Sequence, residues 1–190
     1  MKQFVILLLA ATVLAFGCQS GPAPAANATN AMTTMAPTKP GVIYSTSFEN
    51  GTGTEWKPKG GVQLSSSTDV AHTGTTSLKV SNRSETWFAP EMDITKLTET
   101  LGTYQISGWV SVPTGSTISA VKLTVETHAG ESTNWIQIAN PVPVEPGKWV
   151  QVVGKYVRQS GLDKASVYVE PLEKTGDYYI DDMEIDYLGQ

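Results

Sequence analysis

A two-residue rhythm narrows the folds open to this chain more than any other feature. From Val42 onward, Val, Ile, Thr, Tyr and Trp recur in short runs whose side chains alternate between apolar and polar, and Gly, Pro or Ser ends each run. Tyr104–Val112, Val121–Thr127, Trp135–Ala139, Trp149–Val157, Ala165–Glu170 and Tyr178–Tyr187 all alternate; Pro113-Thr-Gly, Ala129-Gly, Pro146-Gly, Ser160-Gly and Thr175-Gly punctuate them. A side-chain period of two belongs to strands with one buried face. No stretch of a dozen residues carries a helical period. Many short strands at this spacing predict two packed antiparallel sheets, an all-β sandwich of jelly-roll type, over residues 41–190.

The same alternation assigns faces. Val121, Leu123 and Val125 point to the core, so Lys122, Thr124 and Glu126 point away. Val167 and Val169 point in; Ser166, Tyr168 and Glu170 point out. Ile136 and Ile138 take the core side, which turns Trp135 and Gln137 outward. Aromatic and polar groups thus share the outside of neighbouring strands, a surface suited to a planar ligand. Trp56, Trp109 and Trp149 read as core or structural packing, and Tyr104 as core.

Charge removes other classes. Residues 41–190 hold 11 basic and 18 acidic groups, a poor balance for displacing phosphate counterions, so a nucleic-acid partner is not expected. Cys18 is the one cysteine of the chain, which excludes an internal disulfide and a cysteine-rich zinc site. Catalysis is not expected either. Glu126 and Glu170 are outward acids, but nothing marks one as a proton donor opposite the other. His72 reads as part of a turn before Gly74 and His128 as part of another before Gly130, so a nucleophile–histidine arrangement has no support.

The front of the chain has a different character. Met1-Lys2-Gln3 precedes an uncharged apolar run from Phe4 to Phe16, the pattern of a secretory signal peptide over residues 1–17. It ends Leu14-Ala-Phe-Gly-Cys18, which resembles a bacterial lipobox. That resemblance implies lipidation of Cys18 and a secreted protein anchored at the cell surface or outer membrane. Residues 18–40 are rich in Ala, Pro and Thr and have no apolar period, so they read as a disordered linker with a reach of about 25 Å.

Several ordered segments together resemble family 22 carbohydrate-binding modules, the xylan-binding sandwiches commonly attached to xylanases. They are Ser47-Phe-Glu-Asn-Gly51, Trp56-Lys-Pro-Lys-Gly-Gly61, Ala71-His-Thr-Gly-Thr-Thr-Ser-Leu-Lys-Val80, Asn82-Arg-Ser-Glu-Thr-Trp87, Tyr104-Gln-Ile-Ser-Gly-Trp-Val110, Pro146-Gly-Lys-Trp149, Val167-Tyr-Val-Glu170 and Tyr179-Ile-Asp-Asp182. The resemblance implies that Trp87 and Trp135 stack on sugar rings and that Tyr168 and Glu170 belong to the same site. Lys59 stands where the family usually has Arg. Asn134 and Gln137 are expected as rim donors. Arg83 either contacts sugar or orders the loop of Trp87. For the acids Asp177, Asp181, Asp182, Glu184 and Asp186 there are two readings: alternating solvated groups on an edge strand, or part of a structural Ca²⁺ site. The resemblance implies the latter, with Glu49 and Asp182 as side-chain ligands and carbonyls near Ser77–Lys79 completing the shell.

A pyranose ring has flat C–H faces and a rim of hydroxyls. An aromatic plane covers the face and polar side chains take the rim. Two stacked rings contribute about 5 kcal/mol at ~25 cal/mol per Å², and hydrogen bonds add ~1 kcal/mol each. Association costs offset much of this, which leaves an expected Kd of roughly 10–200 μM. The expected function is therefore non-catalytic binding of the interior of xylan-type β-1,4-linked chains, with separate xylanases as possible partners. Mixed-linkage β-glucan is an alternative ligand, and an adhesion module without sugar binding is an alternative role.

Overall fold

The structure is a computed structural model that describes Pro37 and residues 39–190. The expected leader over 1–17, the expected lipidation site Cys18 and almost all of the expected 18–40 linker lie outside the described residues.

Twelve strands form two sheets, and there is no helix among the described residues. The strands are β1 (Gly41–Thr46), β2 (Trp56–Pro58), β3 (Gln63–Ser67), β4 (Ser77–Ser81), β5 (Pro90–Asp93), β6 (Gly102–Ser111), β7 (Ala120–Ala129), β8 (Ser132–Gln137), β9 (Val142–Pro143), β10 (Trp149–Arg158), β11 (Lys164–Pro171) and β12 (Tyr178–Gly189). The first sheet runs β10-β6-β12-β4-β3, with β1 also paired to β12. The second runs β2-β5-β11-β7-β8, with β9 also on β7. Every pairing is antiparallel. This is the expected sandwich, and each alternating run of the sequence falls on one strand of the set.

The inward faces meet in one core that includes Tyr44, Leu78, Ile106, Val125, Val167 and Ile180. Two phenols cross it with their polar ends satisfied, as burial requires. Trp56 Nε1 donates to Tyr44 Oη at 3.1 Å, and Tyr178 Oη donates to the Val169 carbonyl at 2.7 Å. At one side the sheets are joined through Ile138. Its N–H donates to the Leu123 carbonyl at 2.9 Å, and its carbonyl accepts from Lys155 N at 3.1 Å.

The structure corrects two expectations about position. Ile136 pairs with Val125 and so has inward parity, yet it is 37% exposed because β8 is an edge strand that overhangs the core. The strand carrying the acidic cluster is central: β12 has β6 on one flank and both β4 and β1 on the other. A break in its pairing register lies between Asp181 and Glu184, where Asp182 takes a left-handed φ of 44°.

Candidate functional site

The outer face of the second sheet gathers most of the expected site residues. In register, Tyr168 of β11 lies opposite Thr124 of β7, Glu170 opposite Lys122, and Glu126 opposite Ser166. On the other flank of β7, Glu126 lies opposite Trp135 and Thr124 opposite Gln137. Trp135 and Gln137 are exposed, as their parity requires, with Trp135 at 52%.

Trp87 reaches this neighbourhood by a different route. A turn closed by Phe88 N donating to the Glu85 carbonyl (3.2 Å) presents its indole, which is 49% exposed and stands edge-on to Phe88 with centroids 4.5 Å apart. The Phe88 ring covers Gly60 and Gly61; a Cβ on Gly60 would lie 2.3 Å from it. Gly60 is left-handed at φ 69°, so glycine here serves both the turn and the close approach. Lys59, next in the chain, donates from its N–H to the Ala89 carbonyl at 3.0 Å and sends its ammonium across to Trp135. The two indoles are thus linked through one short turn, Lys59–Gly61.

The ammonium of Lys59 lies 4.5 Å from the ring centroids of both Trp135 and Tyr168. It donates to Tyr168 Oη at 2.7 Å and to Glu126 Oε2. Tyr168 Oη donates to the same carboxylate oxygen at 2.6 Å, while the other oxygen meets His128 Nε2 at 2.7 Å. Burial pushes the Glu126 carboxyl up, but the bonds from Lys59, Tyr168 and His128 outweigh it and hold the group down at about 2. Burial, reinforced by the bond to Glu126, raises the Tyr168 phenol.

Two further ion pairs share the pattern of Lys59 and Glu126. Lys122 stands 3.4 Å from Glu170, and Lys164 stands 2.9 Å from Glu91. In all three the lysine is the more exposed partner and the carboxylate the more buried one. The face therefore offers ammonium groups, indoles and amides above sunken carboxylates.

Three expected contacts are placed otherwise than alternation suggested. Tyr168 has outward parity but is 0% exposed, because Lys59 and Trp135 lie over it. Glu170 is likewise buried; it accepts from Thr124 Oγ1 at 2.5 Å under the Lys122 pair. Arg83 is buried with its Nε donating to the Phe88 carbonyl at 2.8 Å, and its Nη2 approaches the Glu85 and Thr86 carbonyls. Burial lowers its pKa, while Tyr178, Glu170 and Glu173 act to raise it. Of the two roles open to Arg83, this geometry serves the ordering of the Trp87 turn. Asn134 pairs with Thr127, so it sits on the opposite face of β8 from Trp135 and is not brought into the cluster. Glu126 and His128, which the sequence reading left out of the binding set, join it; alternation turns Glu126 outward, but Lys59 and Tyr168, which hold it, come from a turn and from β11.

Two recesses of the molecule border strands of the second sheet. One of about 930 Å³ sits between β2 and β3, lined by Asn50, Thr52, Trp56, Lys57, Gln63 and Ser65 among others. Another of about 430 Å³ borders Lys57, Glu91 and Lys164.

The expected calcium ligands lie on the other sheet. Glu49 accepts from the N–H groups of Thr75 (3.0 Å) and Thr76 (2.8 Å) and from both hydroxyls; these backbone bonds lower its pKa. A Cβ on Gly74 would come within 2.5 Å of that carboxyl. Asp182 meets His72 Nδ1 at 2.7 Å and accepts from Thr73 Oγ1 at 2.7 Å. Both carboxylates therefore converge on the 72–76 loop. They are hard oxygen donors of the kind Ca²⁺ takes, and the missing side chain of Gly74 leaves room for one of them. Among the described residues no group of three or more His, Cys, Asp or Glu side chains is placed to hold a metal, so a cation here would need backbone oxygens as well. Asp181, fully buried, anchors the same loop by accepting from His72 N at 2.8 Å and Thr73 N at 3.3 Å, and its other oxygen accepts from Asp182 N at 2.8 Å. Burial raises its carboxyl to about 6 against the pull of these N–H groups.

Known proteins resemble this chain in sequence and in fold. Residues 40–175 match the profile of a family described as a carbohydrate binding domain. The chain is 32% identical over 148 residues to endo-1,4-beta-xylanase A of Thermotoga maritima, which covers 77% of this chain but only 14% of that enzyme. The CBM22-1 xylan-binding domain from Paenibacillus barcinonensis superposes with a TM-score of 0.75 at 29% identity, covering 80% of this chain and 97% of that domain. The C-terminal family 22 carbohydrate-binding module of a Clostridium thermocellum protein gives 0.70 at 25% identity, covering 78% and 94%. The chain belongs to the carbohydrate binding domain family and is related to xylan-binding family 22 modules.

Proposed function

We propose that this carbohydrate-binding domain holds the interior of xylan-type β-1,4-linked chains on the outer face of its second sheet, without cleaving them. The observation that carries the reading is the pair of half-exposed indoles, Trp87 and Trp135, tied to one turn beside a row of lysines. Each indole offers a plane for a sugar face; Gln137, Lys122 and Lys164 supply rim donors. The face is open at its sides, so a chain can enter along its length. The solved relatives named as xylan-binding support the choice of polymer.

Because Tyr168 is covered, stacking falls on the two indoles. They supply the ~5 kcal/mol from which the Kd of roughly 10–200 μM follows. Affinity electrophoresis on soluble xylan is the direct test: retardation is expected, and unchanged mobility of a folded domain rejects the reading. Titration with mixed-linkage β-glucan in parallel decides between the two polymers. Surface attachment that persists without any glycan binding would favour the adhesion role.

Two accessory features belong to the proposal. A calcium ion held by Glu49 and Asp182 would pin the β1 end and β12 to the 72–76 loop, a structural role. Lipidation of Cys18 would tether the domain at the cell surface or outer membrane, where it could hold polysaccharide for separate xylanases. Labelled fatty acid entering the wild type but not Cys18→Ser tests the anchor.

A further inference from the structure

Lys59 stands where an arginine would reach for sugar hydroxyls, yet its ammonium is already committed. It donates to Glu126 and to Tyr168 Oη, and it sits against the faces of two rings at 4.5 Å. An ammonium is a compact, strongly hydrated charge. Removing it from water into an aromatic slot needs a fixed anion, and Glu126 is that anion. Register makes this possible: Glu126 lies directly opposite Trp135 across the β7–β8 pairing, so a carboxylate rising from β7 meets a lysine lying against the neighbouring indole. Its own oxygens are spoken for by Lys59, Tyr168 and His128, and its side chain is buried.

We propose that Glu126 is a positioning residue of the polysaccharide site, and that Lys59 acts on the ligand through Trp135 rather than by touching it. The carboxylate holds the ammonium, the ammonium occupies one face of the indole and limits its rotation, and the exposed side of Trp135 is kept ready for a sugar ring. Tyr168, bonded to both charges, forms the floor of the slot. The proposal rests on the reading that Trp135 stacks on sugar.

The test is titration calorimetry with xylohexaose, read beside the indole N–H signals in nuclear magnetic resonance. Trp135→Phe identifies the signal of Trp135 by its disappearance. Trp135→Ala abolishes binding if the site itself is right; wild-type affinity in that variant would sink the site reading, independently of any role for Glu126. Glu126→Gln and Lys59→Met are each expected to weaken binding about 10-fold, the scale of a lost partly buried cation–π contact. The double variant is expected to lose no more than either alone, because the two residues act as one device. Both single variants move the Trp135 indole signal and leave those of Trp109 and Trp149 in place. Lys155→Met, an exposed change on β10, alters neither readout. Losses that multiply in the double variant would mean that Lys59 meets sugar on its own and would overturn the proposal. So would a Lys59→Met protein with full affinity and an unmoved Trp135 signal. If Glu126→Gln does not fold, Lys59→Met decides alone: affinity and indole signal must change together.

Discussion

On the outside of the second sheet, Trp135 stands 52% exposed beside Lys59, with a buried carboxylate beneath. On the outside of the first, Trp109 lies stacked with His72 at a centroid distance of 3.8 Å, and Trp149 meets the same imidazole edge-on at 5.8 Å. Tyr179 on that face is buried, with Lys79 5.6 Å from its ring centroid. The two faces use similar residue types: indoles, a phenol, lysines, carboxylates and a histidine. They differ in what lies on top. The 68–76 connection between β3 and β4 folds over the first sheet and is held there by Asp181, which accepts from its backbone. Among the described residues no comparable loop closes over Trp135. A face stays open to a ligand when its aromatics keep one side uncovered, and a loop elsewhere in the chain decides that.

The largest effect expected from this contrast is on binding. Replacing Trp87 and Trp135 together by Ala removes the ~5 kcal/mol of stacking and should take xylan binding below detection in affinity gels. Trp109→Ala should leave affinity within about twofold, since distant sites act independently, while costing about 2 kcal/mol of stability in urea unfolding as a half-buried aromatic is lost. Weakened binding in Trp109→Ala at full stability would break the contrast.

The next effect separates the faces by pH. Glu126 titrates at about 2 in the folded chain, against 4.5 for an unperturbed glutamate. Its contribution is therefore complete above 4.5 and fades as pH falls through about 2. The wild type should lose up to about 3 kcal/mol more than Glu126→Gln between pH 5 and pH 2, read from unfolding at each pH. Parallel curves for the two proteins would remove Glu126 as an anchor.

A smaller effect comes from the turn that links the indoles. Gly60→Ala places a methyl 2.3 Å from Phe88 in a left-handed backbone, so Phe88 and the Trp87 turn must shift. Affinity should fall about 10-fold, or ~1.4 kcal/mol. An unchanged Kd would show that Trp87 does not depend on that support.

The smallest effect concerns the covered face. If calcium joins Glu49 and Asp182, chelation should lower Tm by roughly 4 °C, the equivalent of ~1 kcal/mol, without changing xylan affinity at room temperature. An unaltered Tm in excess chelator would reject the ion.

Much of the fold was legible because alternation is a local property. All six alternating runs coincide with strands, and Trp135, Gln137 and Tyr168 have the faces that their parity assigned. Gln63–Ser67 was not legible as a strand: Gln-Leu-Ser-Ser-Ser has no apolar period, and pairing with β4 makes it one. Parity also says nothing about cover. Tyr168 faces outward and is buried, because Lys59 arrives from a turn more than a hundred residues earlier in the chain. The same holds for Glu126, which meets His128 of its own strand but is also held by Lys59 and Tyr168 from two other segments.

The sequence alone determined the class of fold, the core faces of β7, β8 and β11 and the residue types from which a sugar site could be made. These follow from a period of two and from turn residues, which act within a few positions. The tertiary structure decided which aromatics stay uncovered, which lysine meets which carboxylate and which arginine becomes a brace. Those outcomes depend on cross-strand register and on loops that settle over one sheet and not the other, and contacts of that kind leave no trace in local order.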